Sequence, residues 1–129
     1  MGDFAKTRWI WGVGVLALVA MAWPVLAGTD CSKVEEYANN AVVHAKRLYH
    51  SDSLDDARFY AQNLMQAAQD TRKAAVACDC RDAEAFAEET YKYAVKAKGA
   101  RTLEDAQARA QDAIGSAEDA LESAVVCND

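Results

Sequence analysis

Small and apolar residues recur every third or fourth position from Leu54 onward. Leu54, Ala57, Ala61, Leu64, Ala68, Thr71, Ala75 and Cys78 form an unbroken heptad seam. A second seam runs through Leu103, Ala106, Ala110, Ala113, Ala117, Ala120, Ala124 and Cys127. Shorter ones precede each of them, Val34-Ala38-Ala41-Ala45-Leu48 and Ala83-Ala87-Thr90-Ala94-Ala97. This periodicity predicts four amphipathic helices, near 31–50, 53–78, 80–98 and 102–127. The remaining positions agree. They are rich in alanine, glutamate, glutamine, lysine and arginine, all good helix formers, and beyond Pro24 there is no proline and the only glycines are Gly28, Gly99 and Gly115.

The predicted boundaries have a mechanism. Ser32-x-x-Glu35 has the form of a capping box, and Ser53-x-x-Asp56 and Thr102-x-x-Asp105 place a hydroxyl acceptor and a helix-dipole acid at two later starts. Asp30 and Asp79, each one residue before a cysteine, are expected to cap the first and third helices. Turns are predicted at 50–53 and 99–102, and Asp79 alone joins the second helix to the third. Connections this short make neighbours antiparallel, so the expected fold is an all-α, up-down-up-down four-helix bundle.

The two halves of this pattern are copies. Displaced by 49 positions without a gap, Cys31 falls on Cys80 and Cys78 on Cys127, and identities recur at Glu35/Glu84, Ala38/Ala87, Ala45/Ala94, Asp56/Asp105, Ala61/Ala110, Gln62/Gln111, Asp70/Asp119 and Val76/Val125. Such a register signals a duplicated structural unit. The internal repeats span 31–79 and 80–128, and each reads as an αα-hairpin.

The first residues change the picture of compartment. Lys6 and Arg8 precede an uncharged apolar run from Trp9 to Ala22, followed by Pro24 and the small-residue site Val25-Leu26-Ala27. That order predicts a secretory signal peptide over 1–27, cleaved after Ala27, with a helical domain over 28–129. The competing reading is a retained anchor, since Trp9 to Ala27 is uncharged and just long enough to span a bilayer. In both readings the domain lies outside the cytoplasm, periplasmic or secreted.

Within that compartment, four cysteines predict two disulfides, and the repeat selects Cys31 with Cys78 and Cys80 with Cys127 among three pairings. The alternative is a four-thiolate metal site at one end of the bundle. The whole chain carries a net charge of −6, and removing Asp3, Lys6 and Arg8 with the leader makes the remainder one unit more negative. That sign excludes nucleic acid as an expected partner.

Catalytic patterns are missing from the sequence. There is no Cys-x-x-Cys pair, no glycine-rich phosphate loop and no helical Glu-x-x-His. His44 and His50, the only histidines, are six residues apart and do not share a helix face. The carboxylates Glu84, Glu88, Glu89, Glu104, Asp105, Asp112, Glu118, Asp119 and Glu122 read as a solvated helix surface, with cation or basic-partner binding as the sharper alternative. No enzyme and no cofactor is expected.

The informative asymmetry is at the first turn. Tyr49, His50, Phe59 and Tyr60 surround it, where the second copy has Lys98, Gly99, Ala108 and Arg109. In the heptad register Phe59 lies opposite the seam, and an exposed aromatic there marks a partner site. The sequence thus predicts an exported, non-enzymatic protein-binding or adaptor module whose partner is another envelope or secreted protein. The neighbouring hairpin or a homodimer is the other cover for Phe59, and membrane contact is expected only if 1–27 is retained. The alternative function is a small-ligand or metal carrier, using the cysteines or a pocket between hairpins lined by Tyr37, His44, Phe86, Tyr91 and Tyr93.

Overall fold

The computed structural model describes residues 31–129. The proposed leader over 1–27, its cleavage site and Asp30 lie outside the described residues. Four helices account for nearly all of the described chain: α1 (Ser32–Tyr49), α2 (Leu54–Ala77), α3 (Arg81–Lys98) and α4 (Leu103–Asn128). Each packs against its neighbours in sequence, α1 also packs against α4, and the pairs α1–α3 and α2–α4 touch far less. The fold is all-helical, four helices packed together around one interior.

The seams are the interior. Val34, Ala38, Ala41, Ala45 and Leu48 of α1 are buried, as are Ala57 to Ala75 of the α2 seam, Ala83 to Ala97 of the α3 seam and Ala106 to Ala124 of the α4 seam. Leu54 and Leu103, at the first turns of α2 and α4, are half-buried and pack against the core. Alanine supplies most of this core, and the largest fully buried side chains are only Leu48, Leu64 and Val34. Bulkier residues, among them Tyr49, Tyr60, Met65, Tyr93, Ile114 and Leu121, lie half-buried at the edges and cover it. Each alanine methyl contributes only about 0.8 kcal/mol of burial, so the seams bring helices close without strong adhesion.

Cross-links supplement that adhesion. Cys31 is bonded to Cys78 and Cys80 to Cys127, each pair 47 residues apart in sequence, with Cα atoms 5.5 and 5.9 Å apart. Cys31, Cys78 and Cys80 are buried with Val34, Ala75, Ala83 and Ala124 in a small second core at that end of the molecule. The two disulfides are consistent with an oxidising, extracellular environment.

Caps at the opposite end follow the repeat. Ser53 and Thr102 each accept a hydrogen bond at 3.1 Å, from the backbone N–H of Asp56 and Asp105. The bonds that tie these turns to the other copy are related in the same way. Arg58 donates from Nη2 to the Ala100 carbonyl, and Gln107 donates from Nε2 to the Ser51 carbonyl, both at 3.1 Å. Donor and acceptor are displaced by the repeat length in both cases, although the donors differ in chemistry. Lys98, the counterpart of Tyr49, donates to Gln62 of α2.

Two expected caps are corrected. Cys31, not Ser32, is the N-cap of α1 and makes no side-chain cap bond, while its carbonyl accepts from the N–H groups of Val34 and Glu35. Asp79 does not cap α3, whose N-cap is Cys80; it terminates α2 instead. Its φ of 59° is left-handed, the N–H of Cys80 reaches back to the Ala75 carbonyl at 2.8 Å and that of Asp79 to Val76 at 3.2 Å. This is the Schellman closure, which needs a left-handed residue, and Asp79, between the cap residues Cys78 and Cys80 of a three-residue connection, supplies it.

Two outcomes follow. Replacing Cys80 and Cys127 together by serine is expected to lower the unfolding free energy by about 4 kcal/mol, read as a lower urea midpoint, because the loop restrains the unfolded chain. Asp79→Gly is expected to raise stability by up to about 1 kcal/mol in the same assay, since glycine adopts the left-handed conformation without the Cβ clash.

Candidate functional site

The turn between α1 and α2 is placed by the caps just described, and the four aromatic positions around it divide into anchored and free. Tyr49 ends α1 half-buried against the core, and Tyr60, on the second turn of α2, does the same. Their chain neighbours face water. His50 follows α1 as its C-cap and is exposed, with its ring edge-on to Tyr49 at 5.1 Å between centroids. Phe59 is 62% exposed and stands edge-on to Tyr60 at 5.4 Å. Each pair is a half-buried tyrosine supporting an exposed ring, an arrangement that adds about 0.5–1.5 kcal/mol to the contact beyond area burial.

His50 and Tyr60 come together in one shallow cleft of about 230 Å³, whose rim is charged by Arg47, Asp52 and Asp56. Phe59 does not line this cleft. The sequence reading passes over Arg47 and Asp52 and gives Asp56 only a capping role. The usable signal was helical spacing, since Arg47 lies three residues before His50 and Asp56 four before Tyr60.

The residues of the alternative pocket do not converge. Tyr37 and His44 line a cleft between α1 and α2, with Asn40, Asn63, Gln66, Ala67 and Asp70. Tyr91 lines a different one with Ala68, Gln69, Arg72 and Glu88, between α2 and α3. Phe86 lines neither, and Tyr93 packs against the core with Lys96 Nζ 5.8 Å from its ring centroid. The reason is register: His44 and Tyr37 flank the seam on the side of α1 that meets α2, whereas Tyr91 meets α2 from α3.

The cysteines offer no thiolate to a metal, because all four are in disulfides. Among the described residues no group of three or more His, Cys, Asp or Glu is placed to hold an ion. The acidic residues of α4 are exposed, and several are paired: Asp105 and Asp112 with Arg109 at 3.9 and 3.3 Å, and Glu118 with Lys46 at 3.9 Å. Such exposed pairs are screened by water and contribute little to stability. Among the described residues no helix is long and apolar enough to cross a membrane.

His44 is a titratable side chain with a displaced equilibrium. Burial holds its imidazole below the ordinary histidine range, and the nearby Arg47 charge adds to the effect. Its Nδ1 is buried without a hydrogen-bond partner. Compared with protein-family models, curated proteins and solved structures, the chain matches none.

A pH dependence follows from His44. A base whose folded pKa is depressed leaves the unfolded chain binding more protons, so stability rises with pH up to the unfolded value near 6.5 and falls as pH drops below it. His44→Tyr, which installs the residue of the second copy, is expected to flatten the urea midpoint between about pH 7.5 and 5.5 relative to the parent chain. A parent-like slope in the variant would assign the dependence elsewhere.

Proposed function

We propose that this chain is an exported, non-enzymatic binding module: an antiparallel up-down-up-down bundle of two duplicated hairpins, each closed by its disulfide, that captures another envelope or secreted protein at the turn between α1 and α2. The bundle topology is supported by the bonds from the start of α1 to the end of α2 and from the start of α3 to the end of α4, together with the three-residue connection between α2 and α3. Cross-links at one end and reciprocal side-chain bonds at the other make such a scaffold rigid, which suits binding because little order remains to be imposed on association.

The observation that carries the reading is Phe59. Phe59 is left 62% exposed on a domain that otherwise buries its seams, and the second copy places Ala108 there. Aromatic rings with a supporting neighbour are the side chains that dominate protein–protein affinity, and the charged rim of Arg47, Asp52 and Asp56 supplies orientation around them. In this reading Phe59 and His50 make contact, and Tyr49 and Tyr60 hold them in place.

Phe59→Ala, alone and with Tyr60→Arg, transplants the second copy's residues to the first. Capture of the partner from an envelope extract is expected to fall by about tenfold or more, the cost of losing a central aromatic contact, with far-UV circular dichroism unchanged. Capture that survives both substitutions overturns the reading. Sedimentation of the parent chain across concentration separates a second copy from a different protein as the cover for Phe59.

A further inference from the structure

The groove between α1 and α2 holds a second cleft, of about 310 Å³, that belongs neither to the turn nor to the disulfides. Tyr37, Asn40 and His44 line it from α1, and Asn63, Gln66 and Asp70 line it from α2. The buried methyl of Ala67 leaves the space between them open. From Tyr37 to His44 the α1 side runs two helical turns, about 10 Å.

One donor–acceptor pair of the cleft is joined before any ligand arrives. Gln66 donates from Nε2 to Asp70 Oδ1 at 3.0 Å, which holds both side chains and leaves the Gln66 Oε1 and the second Asp70 oxygen as acceptors. The unpartnered Nδ1 of His44 is sealed from water, and burying an unpaired N–H there would be costly. The proton therefore belongs on Nε2, which makes that atom a donor toward the cleft. Burial and Arg47 keep the ring uncharged.

This set selects by exclusion. No cation lines the cleft, and its only charged residue, Asp70, would repel a phosphate or carboxylate ligand. The single carboxylate is engaged by Gln66, and among the described residues no metal-ligating cluster is present. What remains are three side-chain amides, each both donor and acceptor, one neutral imidazole donor and the apolar face of Tyr37. A hydroxyl also donates and accepts at once, and a sugar ring adds a C–H face for the tyrosine. We propose that this cleft binds a neutral, hydroxyl-rich ring, a pyranose unit of a saccharide.

The second copy serves as an internal control. At the positions of Asn40, His44, Asn63 and Gln66 it carries Glu89, Tyr93, Asp112 and Gly115, so the amides and the imidazole are all absent. The alanine seams and the Ser53 and Thr102 caps, by contrast, recur in both halves. Phe59 does not line the cleft, although it precedes Asn63 by one turn on the same face of α2, so Phe59→Ala separates this site from the protein-binding reading.

The test is an NMR titration of the oxidised, 15N-labelled protein with glucose and N-acetylglucosamine, and separately with triglycine as a peptide-backbone probe. At least one sugar is expected to shift the side-chain amide signals of Asn40, Asn63 and Gln66 saturably in the millimolar range. The Asn63→Ala/Gln66→Ala variant, whose substitutions are on the surface, is expected to bind about tenfold more weakly or worse with the rest of its spectrum unchanged. Phe59→Ala is expected to bind as the parent does. The proposal is overturned if neither sugar shifts these amides, if the double variant binds undiminished, or if triglycine shifts them and the sugars do not.

Discussion

The packing of alanine on alanine sets the terms for the rest of this molecule. A small side chain at nearly every seam position lets helices approach closely, and it removes little apolar surface from water per residue. A domain of about a hundred residues with such a core is short of stabilising area. Restraint must come from elsewhere, and the two disulfides provide it by limiting the unfolded chain. Their placement is consistent with that role, because three of the four cysteines are themselves part of the small core at one end. Half-buried tyrosines, leucines and Ile114 at the rims complete the cover that alanine cannot give.

At the other end no covalent link is present, and the turns are held by polar contacts instead. Arg58 on the Ala100 carbonyl and Gln107 on the Ser51 carbonyl bind each turn to the other copy. A backbone carbonyl at a tight turn needs a donor, and both an arginine and a glutamine can reach it. Geometry was therefore retained while side-chain identity drifted. The same freedom appears inside, where Thr90 and Ser116 share a 2.7 Å hydrogen bond between α3 and α4 at positions that are Ala41 and Ala67 in the first copy. Each hydroxyl also meets a backbone carbonyl of its own helix, so the exchange leaves no unpaired polar group.

Two copies of one scaffold separate what the fold requires from what it does not. Seam alanines, cysteines and the caps of α2 and α4 recur because packing, cross-linking and helix initiation require them. Phe59, His50 and the amides of Asn40, Asn63 and Gln66 do not recur, and they occupy surfaces where the fold makes no demand. Both proposed sites lie on the α1–α2 half. In the second copy the corresponding positions carry exposed Lys98, Glu89 and Asp112 and half-buried Arg109, which is paired with Asp112.

Helix number, helix boundaries, buried seams and disulfide pairs were legible in the sequence, because heptad spacing, side-chain capping and the repeat register are local or self-referential signals. Ser53 and Thr102 act as read, while Cys31 and Asp79 do not, since their conformations depend on how the chain enters α1 and reverses between α2 and α3. Exposure of Phe59 followed from its place opposite the seam. The tertiary structure decided the rest. It separated Tyr37 and His44 from Tyr91, joined the first two with Asn63, Gln66 and Asp70, and set Arg47, Asp52 and Asp56 around His50 and Tyr60. The physical reason is that periodicity fixes which face of a helix is buried, whereas the side chains that meet across a groove depend on the axial offset and rotation of two helices.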